Sequence, residues 1–229
     1  MEDRPPDAPQ PAAVPIIPWE EPGRPWPSGM VETLKLLFTQ PRVAFERMPI
    51  NQDVLRPFLF AIIIGWLGII FSSLWQATMS GLMHGMMPGG ADYERFQLPA
   101  LWLPFVATFA PLITVCVLLL STAIYHLFLM AVGGAKHGLV ATLRALCYAQ
   151  GAQILLILPG CGGFLAGIAQ IVLTIIGLSA AHRISTGRAA TAVLLPTVLC
   201  CGCLLLIMVF AGAAVMSRFG GVPSHPSHP

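Results

Sequence analysis

Five long runs of apolar residues dominate the hydrophobic pattern of this chain, and a single arginine is the one charge within them. A helix needs about 20 apolar residues to cross the hydrocarbon core of a bilayer. The first, second and fifth runs exceed that length clearly. The pattern therefore predicts an all-α integral membrane protein with five transmembrane helices, at Pro57–Met83, Leu101–Val132, Leu139–Leu158, Phe164–Ala181 and Ala189–Met216.

The third and fourth runs are shorter, and Arg144 lies near the start of the third. The turn Pro159-Gly160-Cys161-Gly162-Gly163 joins them, so they form a helical hairpin that either crosses the membrane fully or re-enters it. Both alternatives return the chain to the side from which it started. The overall topology is therefore the same for both.

The residues before the first span divide into two parts. Residues 1–29 contain nine prolines, which indicates a disordered, proline-rich cytosolic tail. Its PxxP spacings are typical of either a solvated tether or a docking peptide. Residues 30–56 form an amphipathic segment, because an arc of about 120° on a helical wheel holds Met30, Val31, Leu34, Leu37 and Phe38.

This amphipathic segment has two interpretations: an interfacial helix lying flat on the membrane, or a helix packed on the cytosolic ends of the spans. The sequence leaves both open. The predicted organisation is then a five-helix transmembrane domain over residues 57–217, followed by a disordered C-terminal tail over residues 218–229.

Composition agrees with this assignment and excludes a soluble globule. Hydrophobic residues make up 56% of the chain and charged residues only 10%, whereas soluble domains carry about 25% charged residues. The net charge of +2 is small, and no basic stretch interleaves with aromatic residues as a nucleic-acid surface would. Lipid is the expected solvent, and nucleic acid is not an expected partner.

The distribution of lysine and arginine predicts the orientation, since cytosolic loops are enriched in both. With a cytosolic N-terminus, ten of the twelve basic residues lie inside, and only Arg95 and Arg218 lie outside. Each alternate loop agrees with this count. The C-terminus is therefore expected outside.

Two clusters of soft ligands are candidate metal sites. Met83, His84, Met86 and Met87 end the first span, and Cys200 and Cys203 share a face of the fifth. Thioethers, thiols and imidazoles are the ligands that copper(I) prefers. Methionine and cysteine are also ordinary packing residues in helices, and we expect neither a metal nor another cofactor. No set of acid, base and nucleophile indicates an enzyme.

Polar and small residues in the hairpin indicate helix packing. Gln153 lies six residues before Pro159, and Gln170 lies seven beyond Gly163, so the two amides are at similar depths. We expect an interhelical hydrogen bond between them, because lipid offers no partner. Gly163 and Gly167 form a GxxxG spacing that is expected to bring the two helices close together.

The arrangement of motifs resembles that of the Yip family (Ypt/Rab-interacting proteins), in particular its bacterial branch. A short amphipathic segment precedes five spans, and the stretch GLVATLRALCYA from Gly138 to Ala149 leads into a Pro-Gly turn. Gly177-Leu178, His182, Ser185, Arg188-Ala189 and Leu195-Pro196 complete the resemblance, which covers about residues 30–215. Ala152 departs from the pattern, which has a proline there.

The resemblance implies a non-enzymatic scaffold or trafficking protein in a bacterial cytoplasmic membrane. Its partners would be the lipid bilayer and either other membrane proteins or further copies of itself, and a GTPase partner follows only by analogy with eukaryotic members. The alternative is a small transporter or metal-handling permease that uses the Met79–Met87 and Cys200–Cys203 clusters.

Overall fold

The computed structural model describes residues 16–50, 53–85 and 98–219, with the backbone alone at positions 80, 82–85, 98–103 and 214–219. A 3₁₀ turn at Pro18–Glu20 precedes two short helices, α1 (Trp26–Thr39) and α2 (Pro41–Glu46). Five further helices and a 3₁₀ segment follow: α3 (Leu55–Gly85), α4 (Leu98–Ala131), α5 (Gly138–Ala149) with the 3₁₀ segment Gln150–Ile157, α6 (Gly162–His182) and α7 (Thr186–Phe219).

Five stretches of these helices are long and apolar enough to cross a membrane, which confirms the predicted fold class. Their bounds are Leu55–Met79, Pro104–Ala131, Gly138–Ile157, Gly162–His182 and Thr186–Ala213. The outer surface of the bundle is apolar, and on α7 every residue from Leu204 to Phe210 is more than half exposed. A surface of this kind is stable in lipid and not in water.

The third span lies at the centre of the bundle and changes its helix type halfway. Over half of it is buried (56%), compared with 11% of the fifth span. Twelve α-helical and eight 3₁₀ residues extend over about 34 Å, which is enough for the hydrocarbon core. Trp75 donates its indole N–H to the carbonyl of Ile157, 3.0 Å away, where the 3₁₀ segment ends.

Prolines inside α4 free backbone carbonyls that lipid cannot satisfy. Pro111 has no N–H, so the carbonyl of Ala107, four residues earlier, loses its helical donor. The indole N–H of Trp66 on α3 donates to this carbonyl at 2.8 Å. A side chain of the neighbouring helix thus restores the bond that the proline removes.

The N-terminal segment, residues 16–46, is more ordered than the sequence indicated. We expected a disordered tail over residues 1–29, but from residue 16 onward the chain packs on the bundle, and α1 begins at Trp26. Ile17 and Trp19 are buried. Their burial, and the contacts of Glu20 described below, supply the free energy that orders a proline-rich stretch. Residues 1–15 lie outside the described part.

The structure combines the two interpretations of the amphipathic segment. Leu37 of α1 and Phe45 of α2 are buried in the main core, so these helices pack on the bundle. Val31 and Phe38 are 60% and 41% exposed, and they point away from the core. The helix α1 therefore has one face on the protein and an apolar edge available to lipid.

Candidate functional site: a buried ion pair beneath the N-terminal segment

A buried ion pair joins the N-terminal segment to the third span. The Nη2 atom of Arg144 lies 2.5 Å and 2.6 Å from the two carboxylate oxygens of Glu20. The exposed fractions of the two side chains are 0% and 5%. Tyr148, one helical turn after Arg144, donates its hydroxyl to the same carboxylate. The spacing of four residues places both donors on one face of α5.

Further hydrogen bonds hold the segment around this pair. The indole N–H of Trp19 donates to the carbonyl of Arg56 at 2.6 Å, and the Arg56 guanidinium donates to the carbonyl of Glu20 at 3.1 Å. The backbone N–H of Trp19 donates to the hydroxyl of Thr33 at 2.9 Å. Arg144 also donates to the carbonyl of Asp53. The 3₁₀ turn, α1, the start of α3 and α5 are therefore tied together.

Aromatic rings continue this contact into the bundle. The centroids of the Trp19 and Phe60 rings are 5.9 Å apart, and those of Phe60 and Tyr148 are 5.3 Å apart. Phe60 and Tyr148 are fully buried. We call Trp19, Glu20, Phe60, Arg144 and Tyr148 the anchor cluster. It excludes water from the ion pair, which strengthens the attraction between the two charges.

A second polar chain links the ends of α4, α5 and α6. The backbone N–H of His137 donates to Nδ1 of His182 at 3.2 Å, so His182 carries its proton on Nε2. That N–H donates to the Thr142 hydroxyl oxygen at 2.8 Å, and the same hydroxyl is hydrogen-bonded to Nδ1 of His126 at 2.9 Å. The His182 imidazole is then neutral. This chain of hydrogen bonds aligns three helices.

The structure brings Gln153 and Gln170 together. The amide of Gln153 donates to Oε1 of Gln170 across 3.4 Å, between the 3₁₀ segment and α6. This is the contact that their similar distances from the hairpin turn predicted. The bond is long, so its contribution to stability is small.

The prediction for Gly163 and Gly167 is wrong. Both residues face open space, and a side chain added at either position would meet nothing within 4 Å. The inward face of α6 lies one residue earlier, at Gly162 and Ala166, which are buried. One residue rotates a helix by about 100°, so the small-residue stripe was placed on the wrong face.

The candidate metal residues gain no support from the described part of the chain. Cys200 and Cys203 are free and exposed on α7. The side chains of Met83, His84, Met86 and Met87 lie outside the described residues. Within the described residues, no three His, Cys, Asp or Glu side chains are grouped to hold a metal ion.

The sequence did contain a signal for the anchor cluster. Arg144 is the one charge within five apolar runs, and a charged residue inside a span has a partner or a function. Its partner was hidden, because Glu20 lies 124 residues away in a stretch whose prolines indicated disorder.

Fold and surface together define a multi-pass helical membrane protein. The model of the Yip1 domain matches residues 35–209, well over half of the chain, and the chain therefore belongs to the Yip family. Arg144 and Tyr148 lie within the matched residues, whereas Trp19 and Glu20 lie before them. No curated protein and no solved structure matches the chain.

Proposed function

We propose that this Yip-family protein is a non-enzymatic membrane scaffold of the trafficking or membrane-organising kind. The observation that carries the proposal is the buried ion pair between Glu20 and Arg144. A buried ion pair adds little net stability compared with apolar side chains of the same volume, but it can select one arrangement over others. Its role here is to hold the N-terminal segment in one position on the bundle.

The held segment presents a surface suited to protein and lipid contacts. Val31 and Phe38 form an exposed apolar edge, and Glu32 and Lys35 are exposed beside them. Arg24 pairs with Glu21 at 2.6 Å and also with Glu32, which fixes the start of α1. The expected partners are the lipid bilayer and, in addition, either other membrane proteins or a second copy of this chain. A GTPase partner rests on family analogy alone.

Crosslinking from native membranes tests this role. Tagged full-length protein is crosslinked and purified in parallel with the Glu20→Ala and Trp19→Ala variants, which release the segment in different ways. The control is Glu46→Ala, which breaks the exposed ion pair with Arg42, 3.2 Å long. We expect wild type and control to capture the same membrane proteins or the same self-crosslinked species, and both anchor variants to lose a shared subset. Identical captures from all four proteins would refute the scaffold role of the segment.

The proposed location is a bacterial cytoplasmic membrane, with the N-terminus in the cytosol and the C-terminus outside. Ten of the twelve basic residues support this orientation. Alkaline phosphatase, active only outside the cytosol, should be active when fused after Pro229 and inactive when fused before Met1. A fluorescent protein that folds only in the cytosol should give the reverse pattern. Phosphatase activity at both ends or at neither would contradict an odd number of spans.

A further inference from the structure

A cavity of about 260 Å³ lies inside the bundle between α3, α4, the 3₁₀ segment and α6. We propose that it binds the uncharged headgroup of a neutral lipid, of the diacylglycerol class, which enters from the bilayer. Six polar side chains line it: Thr114, Ser121, Tyr125, Gln150, Gln153 and Gln170. The proposal concerns a ligand site, and it does not depend on the scaffold role or on the anchor cluster.

The cavity lies at hydrocarbon depth. Its α4 residues, between Ile113 and Tyr125, occupy the middle of the span Pro104–Ala131, and Gln170 is the ninth residue of the span Gly162–His182. On α3 the lining residues Gly65 and Ile69 follow the start of the span by about 15 Å and about 21 Å. Polar side chains at this depth have no water or headgroups around them, so each needs a partner.

Most of these polar side chains have no hydrogen-bond partner among the residues that the structure describes. The hydrogen bond from the amide of Gln153 to that of Gln170, 3.4 Å long, is the one side-chain hydrogen bond between lining residues in the described part of the chain. The amide of Gln150 and the hydroxyls of Ser121 and Tyr125 form no side-chain hydrogen bond with any described residue. An amide offers two donor hydrogens and an oxygen acceptor, so the site can both donate and accept. Several unused groups that converge on one cavity are the mark of a binding site.

The charge of the lining and its position select the class of ligand. None of the residues that line the cavity is ionisable near neutral pH. A charged headgroup would therefore be buried without a counter-ion, at a large cost in free energy. Ile113 and Val117, also in the lining, are 48% and 51% exposed on the outer face of α4. The cavity thus reaches the lipid-facing surface, where acyl chains can remain while hydroxyl and ester groups enter.

Photo-crosslinking in nanodiscs tests the proposal. The full-length protein is incubated with diacylglycerol, phosphatidylcholine or phosphatidylglycerol, each with a diazirine at the same position, on the acyl-chain carbons next to the ester group that would enter the cavity. We expect preferential labelling by diacylglycerol, at peptides from α4 or the 3₁₀ segment. Gln150→Leu, which keeps the side-chain volume, should lower that labelling by about threefold, the factor that one hydrogen bond in a membrane protein supplies. Ser121→Leu, which removes a hydroxyl and occupies part of the cavity, should remove the preference.

Gln76→Leu is the matched control, because Gln76 is an exposed glutamine of α3 bonded to Ser72 and absent from the cavity lining. Its labelling should equal that of wild type. Equal labelling by the three lipids would overturn the proposal, and so would unchanged diacylglycerol labelling in Gln150→Leu. Absence of labelling at the cavity, as expected if it holds only water, would overturn it too. The elution volume on gel filtration shows which variants are folded. If Ser121→Leu is not folded, the labelling of Gln150→Leu alone decides the test.

Discussion

Replacing Arg144 by alanine should lower the free energy of unfolding by about 3–5 kcal/mol, the cost of breaking a buried ion pair by removing one partner. The substitution leaves the Glu20 carboxylate inside the anchor cluster with the Tyr148 hydroxyl as its remaining side-chain partner. It also removes the donor to the carbonyl of Asp53, which precedes α3. Unfolding in mixed micelles titrated with a denaturing detergent measures this change.

Two further variants separate the buried charge from general damage. Glu20→Leu combined with Arg144→Met removes both charges and keeps similar volumes, so it should recover most of the lost stability. Glu46→Ala breaks an ion pair whose side chains are 58% and 80% exposed, and it should change stability by less than about 1 kcal/mol. The buried-pair argument fails if Arg144→Ala is no more harmful than Glu46→Ala.

Replacing Gly68 by leucine should cost about 3 kcal/mol, at the upper end of what overpacking a core costs. A Cβ atom at Gly68 would lie 2.7 Å from the carbonyl oxygen of Gln153 and 3.2 Å from its Cβ. One of these atoms is in the backbone of the 3₁₀ segment and the other is bonded directly to it, so no side-chain rotation can move them out of the way. The third span would have to move away from α3. This movement would also disturb the close packing of Gly151, in the same span, against Leu37 of α1.

Gly167→Leu is the matched control for this substitution. The residue also lies within a transmembrane helix, yet a side chain there meets no atom within 4 Å. The change should leave the midpoint of thermal unfolding unchanged, since leucine on the outer face of α6 contacts lipid. If Gly167→Leu destabilised the protein as much as Gly68→Leu, the assignment of the inward face of α6 would be wrong.

The contact between Gln153 and Gln170 shows how far sequence reasoning reaches within a hairpin. A tight turn forces two helices to run antiparallel, and residues equally far from the turn then lie at the same depth. Depth alone does not decide which face meets the neighbour. The two glutamines do face each other, as predicted. The glycines predicted to face the neighbouring helix, Gly163 and Gly167, are one residue away from the residues that do, because α6 packs through Gly162 and Ala166.

The sequence by itself determined the five spans, because the free energy of membrane insertion is summed over about 20 neighbouring residues and needs no tertiary partner. Only the tertiary structure decided what becomes of the polar residues. Glu20 and Arg144 are 124 residues apart, and the glutamines around the cavity come from two different helical elements. The stability of a buried charge or amide depends on the group it faces. The packing of segments that are distant in sequence determines this partner group, and local sequence patterns do not predict that packing.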